Sequence, residues 1–257
     1  MRYDDYFELS EQHGWRARDL DWTGLERDAR EGRVTAADRA AMMATATIEH
    51  GVPHYAEVWS LVEDLRAHWE LWQFVTLWTG EEHRHSYVLK KACDVVGDAV
   101  ELGADLDVVS GFAFAESQKK SCPQDCLRTV PGMVTYAVIQ ELATHRFYTM
   151  AAKRTESPAL RRIFGEIAGD EMRHHVFYRE ALKEGFEQTS DKPAYIDRII
   201  EATSAFAMPH KIYQLHVDFF DGGDWPIGPE ILPQLARSFS FDGDLLRRLA
   251  ASRGALA

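Results

Sequence analysis

Two short stretches of this chain share one pattern of side chains: Glu81-Glu82-His83-Arg84-His85 and Asp170-Glu171-Met172-Arg173-His174. Each contains a glutamate followed three residues later by a histidine, within sequence that has the apolar periodicity of a helix. Side chains at i and i+3 lie on one face of a helix, so each stretch can offer a carboxylate oxygen and an imidazole nitrogen together. The pattern predicts two metal-ligand pairs on two helices of a bundle.

Two further glutamates occur in the order that a dinuclear site requires. Glu49 lies in an apolar stretch before the first pair, and Glu141 lies in another stretch between the pairs. A buried carboxylate in mid-helix is costly unless a metal or another cation compensates its charge. Ferritin-like proteins build a six-ligand di-iron site from two E-x-x-H pairs and one glutamate from each of two other helices. Spacing leaves one choice open, because Glu81 at i, i+4 shares the face of His85 as well as Glu82 does.

Composition limits the class of protein. A chain of 257 residues with 46% hydrophobic residues is long enough for one domain with a sizeable core. No apolar stretch reaches membrane-span length and the start has no apolar secretion core, so we expect a soluble, cytoplasmic protein with no membrane partner. The net charge of -12 argues against nucleic-acid binding. Cys93, Cys122 and Cys126 match neither a disulfide framework nor a zinc pattern and are interpreted as ordinary thiols.

We predict an all-α fold: a single ferritin-like domain over residues 1–257, with a four-helix bundle at about 35–188 and additional N- and C-terminal helices. Residues 1–34 are expected to form an irregular arm with a short helix near Leu20–Arg30. The bundle helices are predicted from Thr35 to about Leu65 with a kink at Pro53, over about Ala67–Val96, over Met133–Arg154, and from Ser157 to about Glu187. A less periodic segment spans 98–120, and accessory helices are expected within 193–252, broken at Pro209 and at Asp221–Pro226.

The chain resembles the soluble acyl-acyl-carrier-protein desaturases of plants and actinobacteria over about residues 45–215. Residues 78–85, Trp-Thr-Gly-Glu-Glu-His-Arg-His, are similar to that family's W-T-x-E-E-N-R-H segment. Residues 170–174 with Tyr178 are similar to its D-E-K-R-H-x-x-x-Y segment. Weaker similarities are Gln140-Glu141-Leu142-Ala143-Thr144 to Q-E-R-A-T, Glu49 before Pro53-His54-Tyr55 to E-E-A-L-P-T-Y, and Met208-Pro209 to a Met-Pro after the bundle.

The resemblance implies a site and a chemistry. It chooses Glu82 over Glu81 and implies six ligands to two iron ions: Glu49, Glu82, His85, Glu141, Glu171 and His174. It places Thr144 beside the iron pair as a catalytic hydroxyl. It also places Asp170 and Trp78 next to the ligands, where Asp170 would orient a ligand histidine and Trp78 would conduct electrons. It further implies dioxygen as co-substrate, an external electron donor such as a ferredoxin, an acyl chain on an acyl carrier protein, and a homodimer.

Several departures and alternatives remain open from the sequence. Ile48 stands where the plant enzymes have threonine, His83 replaces asparagine, and His145 at i+4 from Glu141 could be a further ligand or a hydrogen-bond partner. Thr144 could instead bond only to its own helix, and Trp78 could be a core residue. The chain is shorter than the plant enzymes, which leaves the substrate open. Desaturation therefore competes with hydroxylation or N-oxygenation in a specialised pathway, and with iron handling of the ferritin type.

The homodimer has a second motive in the sequence of the predicted second helix. That helix carries more aromatic residues than one core stripe needs, and a partner subunit could cover the excess: Trp69, Trp72, Phe74 and Trp78.

Overall fold

A computed structural model describes residues 2–98 and 126–205 of the chain. Within these ranges the regular structure is helical and contains no strand, which confirms the predicted all-α class. The helices, named here in chain order, are α1 (Tyr3–His13), α2 (Trp22–Arg30), α3 (Ala36–His50), α4 (Val52–Ser60), α5 (Trp69–Val95), α6 (Val130–Arg154), α7 (Pro158–Gln188) and α8 (Lys192–Ala205). Short 3-10 turns occupy Ala17–Asp19, Leu65–Ala67 and Cys126–Arg128.

Four helices form the bundle: α3, α5, α6 and α7. The α6 helix packs along α7, and α3 packs along α5. Local signals fix where these helices begin, since the side chains of Thr35, Thr129 and Ser157 each accept a hydrogen bond from the first turn of the helix that follows. The last three bundle helices are long, with 27, 25 and 31 residues, so each runs from one end of the bundle to the other.

The core consists of two apolar clusters with a polar layer between them. Along α5, Phe74 belongs to one cluster and Leu89 to the other. Along α7 the order is reversed, because Phe164 shares the cluster of Leu89 and Phe177 shares that of Phe74. Both E-x-x-H pairs fall between these apolar positions, so the fold brings them to one level in the bundle interior.

The N-terminal arm is more regular than the sequence predicted. The short helix expected near Leu20–Arg30 is α2, but α1 was not predicted. This helix has a polar sequence with Tyr6 as its buried residue, so its hydrophobic pattern is weak. The side chain of Asp5 accepts a hydrogen bond from the Arg2 N–H and fixes the first turn.

The first predicted bundle helix is shorter than expected. It was expected to continue to about Leu65 with a kink at Pro53, but α3 ends at His50 and a separate helix, α4, ends at Ser60. Pro53 lies in the first turn of α4 and has no N–H with which to bond back to the carbonyl of Glu49. The break therefore falls at Gly51, two residues after Glu49.

The remaining boundaries agree with the prediction within three residues, apart from the C-terminal region. There, α8 supplies the first accessory helix, while Pro209, residues 221–226 and nearly all of the 98–120 segment lie outside the described residues. None of the helices in the described ranges combines the length and the hydropathy that crossing a membrane requires.

Candidate metal centre

The six predicted ligand side chains meet inside the bundle, where α3 contributes one, α5 two, α6 one and α7 two. All are buried, with exposed fractions between 0% and 5%: Glu49, Glu82, His85, Glu141, Glu171 and His174. Four acidic side chains packed together with so little exposure would repel one another strongly unless cations shared the space. The arrangement is therefore unusual for an ordinary core.

Ligand-type atoms in this cluster form two overlapping groups. One group is Glu49, Glu82, His85 and Glu171, and the other is Glu82, Glu141, Glu171 and His174. Within each group, one oxygen or nitrogen from every residue lies within 4.8 Å of the others. Glu82 and Glu171 belong to both groups, so their carboxylates lie between the two histidines. The side chain of Glu81 is not a member of either group.

His85 is held from behind by Asp170. Its Nε2 lies 2.9 Å from Oδ2 of Asp170, which as a carboxylate accepts the ring proton. In the neutral ring this leaves the lone pair on Nδ1, which faces the cluster at 3.2 Å from Oε1 of Glu171 and 3.5 Å from Oε2 of Glu82. Asp170 on α7 thus contacts the ring of the predicted ligand His85 on α5.

His174 is held in the same way by Glu81. Its Nε2 lies 3.1 Å from Oε2 of Glu81, and its Nδ1 lies 3.0 Å from Oε1 of Glu82 and 3.3 Å from Oε2 of Glu141. We had not predicted this contact of Glu81. A signal was present, because an acidic residue stands directly before the glutamate of each E-x-x-H pair, and each of the two acids supports the histidine of the other pair.

Unpaired polar atoms test whether this cluster fits metal ions. Within the described residues, the buried side-chain atoms without a hydrogen-bond partner include Oε1 of Glu82, Nδ1 of His85 and Oε1 of Glu171. Leaving such atoms unpaired is costly in a protein interior. All three belong to predicted ligands and lie among the members of the two groups. Carboxylate oxygens and imidazole nitrogens are ligands that suit iron, so the donor set fits two iron ions.

The electrostatics of the cluster are those of closely coupled groups. Burial lowers the pKa of His85, but the negative charge of Glu82, the hydrogen bond to Asp170 and the nearby carboxylate of Glu171 outweigh it and hold this pKa well above its usual value. Burial and the charge of Glu171 raise the pKa values of Glu49 and Glu141 well above the usual range. Protons are therefore held on His85, Glu49 and Glu141 at pH values where exposed side chains of the same types would release them, and metal binding would displace them.

Asp170 is the centre of a buried network. Besides His85, its carboxylate accepts hydrogen bonds from Arg84 at 2.9 Å, from Arg173, and from the indole N–H of Trp15 at 2.9 Å. The Trp15 ring also stacks on the ring of His85, with an interplanar angle of 3°. Sequence reasoning missed Trp15, because it lies in the arm before the bundle and no local pattern connects it to Asp170.

Trp78 and Thr144 both touch carboxylates of predicted ligands. Trp78 is buried and donates its indole N–H to Oε1 of Glu141 at 3.1 Å. The hydroxyl of Thr144 lies 2.9 Å from Oε2 of Glu171 and 3.1 Å from the backbone oxygens of Gln140 and Glu141. One hydroxyl proton serves these acceptors in turn, so Thr144 can bond to its own helix or to the cluster.

Other side chains near the cluster have partners that direct them away from it or support it. The Nδ1 of His145 lies 2.8 Å from the carbonyl oxygen of Ala168, and His145 belongs to neither ligand group. The Tyr148 hydroxyl donates to Glu49, a contact that the sequence analysis did not foresee.

Of the four aromatic residues that suggested a dimer, Phe74 and Trp78 are buried in the core, while Trp69 is 61% exposed.

Comparison with known proteins gives a family. The model of the fatty acid desaturase family matches residues 19–216. A Mycobacterium tuberculosis protein with the provisional name acyl-acyl-carrier-protein desaturase DesA1, found in two strains, is 27% identical over 168 residues, which are 64% of this chain and 48% of that protein. The chain thus spans about half the length of the curated relatives it matches.

Solved structures of similar shape include those of an R2-like ligand-binding oxidase. The oxidase with an aerobically reconstituted Mn/Fe cofactor has a TM-score of 0.57 and 17% identity, over 99% of this chain and 90% of that one. A variant of it with an Fe/Fe cofactor has a TM-score of 0.57 and 16% identity, over 99% and 91%. At this identity the likeness concerns the fold alone, and the fold is a ferritin-like helical bundle, as the sequence predicted.

Proposed function

Because this chain belongs to the fatty acid desaturase family, we propose that it is a di-iron, dioxygen-dependent oxidoreductase that removes hydrogens from an unactivated C–H pair of an acyl chain. The observation that carries the proposal is the pair of overlapping ligand groups between α3, α5, α6 and α7. Family membership alone would leave open whether this chain retains a metal site, and the buried cluster of donor side chains supports one.

The proposed ligands divide by position. His85 and Glu49 belong to one group only, His174 and Glu141 to the other, and Glu82 and Glu171 to both. Each group would hold one iron ion, and Glu82 and Glu171 belong to both groups. Iron in this ligand set supplies one-electron redox chemistry and activates dioxygen for attack on a C–H bond.

The residues of the chain then have separate tasks. Asp170 and Glu81 hold the two imidazole rings in the tautomer that directs Nδ1 inward. Thr144 can deliver its proton toward the shared carboxylate of Glu171 and the space beside it, as a general acid does. The apolar cluster that contains Phe74, Trp78 and Tyr178 excludes water on one side of the polar layer that contains the proposed ligands.

The family and the curated relative support a proposal for the substrate and partners. We propose an acyl chain carried as a thioester on an acyl carrier protein, since the curated relative has a name of that kind. Electrons are proposed to come from an external donor such as a ferredoxin. A homodimer is proposed as well, and Trp69 and Tyr87 are exposed aromatic residues of α5 that a partner subunit would cover. Light scattering at micromolar concentration would test this, and a monomer mass would contradict it.

A single-turnover experiment tests the reaction. Protein loaded with ferrous iron would be reduced without oxygen, mixed with acyl carrier protein thioesters of several chain lengths, exposed to dioxygen, and analysed by mass spectrometry. We expect loss of two hydrogens from one chain length. Gain of one oxygen atom would indicate a hydroxylase, and an unchanged acyl mass with oxidised iron would favour iron handling. A Glu171→Ala variant under the same conditions controls for free iron.

A further inference from the structure

Two hydroxyl groups of helix α1 contact the polar layer that contains the proposed metal ligands. The Tyr6 hydroxyl donates to Oε2 of Glu81 at 2.6 Å, and the Ser10 hydroxyl donates to Oε1 of Glu81 at 2.6 Å. These residues are four positions apart and therefore lie on one face of α1. Tyr6 has no exposed surface and Glu81 is 3% exposed, so the hydrogen bond between them is shielded from solvent.

Glu81 connects these hydroxyls to a proposed ligand. Its Oε2, which accepts from Tyr6, also accepts from Nε2 of His174 at 3.1 Å. With a donor on each oxygen, the carboxylate group has one favourable orientation, and that orientation sets the position of the His174 ring. The opposite ring atom, Nδ1, lies 3.0 Å from Glu82, so a rotation of the Glu81 carboxylate would move the nitrogen that faces the cluster.

The support for the two histidines differs in charge. Asp170, behind His85, pairs with the guanidinium groups of Arg84 and Arg173. Glu81, behind His174, receives its two short hydrogen bonds from neutral hydroxyls, and its nearest guanidinium contact is Arg84 at 3.7 Å. A carboxylate whose charge is balanced by arginine attracts a ring proton less strongly than one balanced by hydroxyls. The two imidazoles are therefore different as ligands.

These observations assign a role to a part of the chain that the family match does not include. The match begins at residue 19, whereas α1 spans Tyr3–His13. We infer that Tyr6 and Ser10 are positioning residues that act through Glu81 on the metal position served by His174, and leave the position served by His85 largely unaffected. The inference rests on the proposed metal site and adds to it a cause for unequal affinities.

Anaerobic titration of the full-length apoprotein with ferrous iron tests this inference. Calorimetry would give the affinity of each position, and Mössbauer spectra of the iron-57 protein would report the two ions separately. In the double variant Tyr6→Phe with Ser10→Ala, both side chains keep nearly their full volume but lose their hydroxyls. We expect one of the two positions to bind iron about tenfold more weakly, at the low end of the effect of removing an outer hydrogen-bond partner. One ferrous doublet should change while the other stays.

Two further variants separate positioning from packing. Tyr3→Phe, on the same helix but without a contact to Glu81, is the matched control and should leave both affinities unchanged. In a Glu81→Gln background, removal of the two hydroxyls should have little additional effect, because all three groups act through one path. Additive effects, an equal weakening of both positions, or two unchanged doublets would each overturn the inference. If the unaltered protein bound no iron, the proposed function would fail first and this inference with it.

Discussion

Asp170 on α7 and His85 on α5 are joined by a 2.9 Å contact between Oδ2 and Nε2, and both side chains are completely buried. The first prediction tests this contact. Asp170→Asn preserves the shape but removes the charge that orients His85, so we expect iron affinity to fall by about 10- to 100-fold. Glu166→Gln, on the same helix with a surface partner in Arg162, is the control. Equal iron affinities in the two variants would contradict the role given to Asp170.

The second prediction concerns the ligands themselves. The unaltered protein should bind two irons per chain, and His85→Ala or Glu171→Ala should lower that content, since each removes an inward-facing donor atom. His83→Ala, two residues before His85 and exposed on the same helix, should bind as much iron as the unaltered protein. Iron content would be measured by elemental analysis after gel filtration. Full occupancy in both ligand variants would remove these residues from the site.

The third prediction separates the two sets of contacts of Thr144. If its hydroxyl delivers a proton near Glu171, Thr144→Val should slow oxygen-dependent turnover by roughly ten- to a thousandfold without loss of iron. Thr135→Val is the control, because Thr135 lies on the same helix and bonds to the backbone oxygen of Pro131. Stopped-flow spectroscopy and product yield would both be recorded. Unchanged kinetics in Thr144→Val would mean that this hydroxyl serves only its own helix.

The fourth prediction concerns stability away from the metal layer. Buried Asp28 accepts hydrogen bonds from the Ser157 hydroxyl and the Ala159 N–H, and pairs with Arg33, at the start of α7. Asp28→Asn should lower the free energy of unfolding by about 1–3 kcal/mol at neutral pH, because buried polar groups lose a charged partner. Asp19→Asn, at an exposed surface pair with Arg18, should have little effect.

The effect of Asp28 should also depend on pH in a definite direction. Burial raises its pKa, but the hydrogen bonds from Ser157 and Ala159 and the charge of Arg33 outweigh burial, so the pKa is lowered in the folded protein. A carboxylate with a lowered folded pKa stabilises the fold above its unfolded pKa, about 3.9, and loses that contribution as the pH falls further. Denaturant titrations of both proteins from neutral to acidic pH should therefore converge below about pH 4. A difference that grows toward acid would contradict this assignment.

The bundle and the ligand cluster could be predicted because both depend on local patterns. Spacing within a helix fixes which side chains share a face, so Glu82 with His85, and Glu171 with His174, follow from the sequence once helices are assumed. Helix ends with side-chain caps, such as the start of α7 at Ser157, were predicted for the same reason.

The contacts that support the ligands could not be predicted in this way. Trp15 meets Asp170, and Tyr6 meets Glu81, across long separations in sequence, and such pairs depend on how the arm packs after the bundle has formed. The choice between Glu81 and Glu82 needed either the resemblance or the structure, since both carboxylates lie on the face of His85. The repeat of an acid before each E-x-x-H pair was the overlooked local signal for Glu81.

The cluster between α3, α5, α6 and α7 is proposed to hold two iron ions. The most direct measurement is a crystal structure of the iron-loaded protein with anomalous diffraction recorded at the iron absorption edge. We predict two anomalous peaks about 3.5–4 Å apart, one beside Nδ1 of His85 and one beside Nδ1 of His174, with Glu82 and Glu171 in contact with both. No peak in this layer, a single peak, or iron bound elsewhere on the chain would contradict the account.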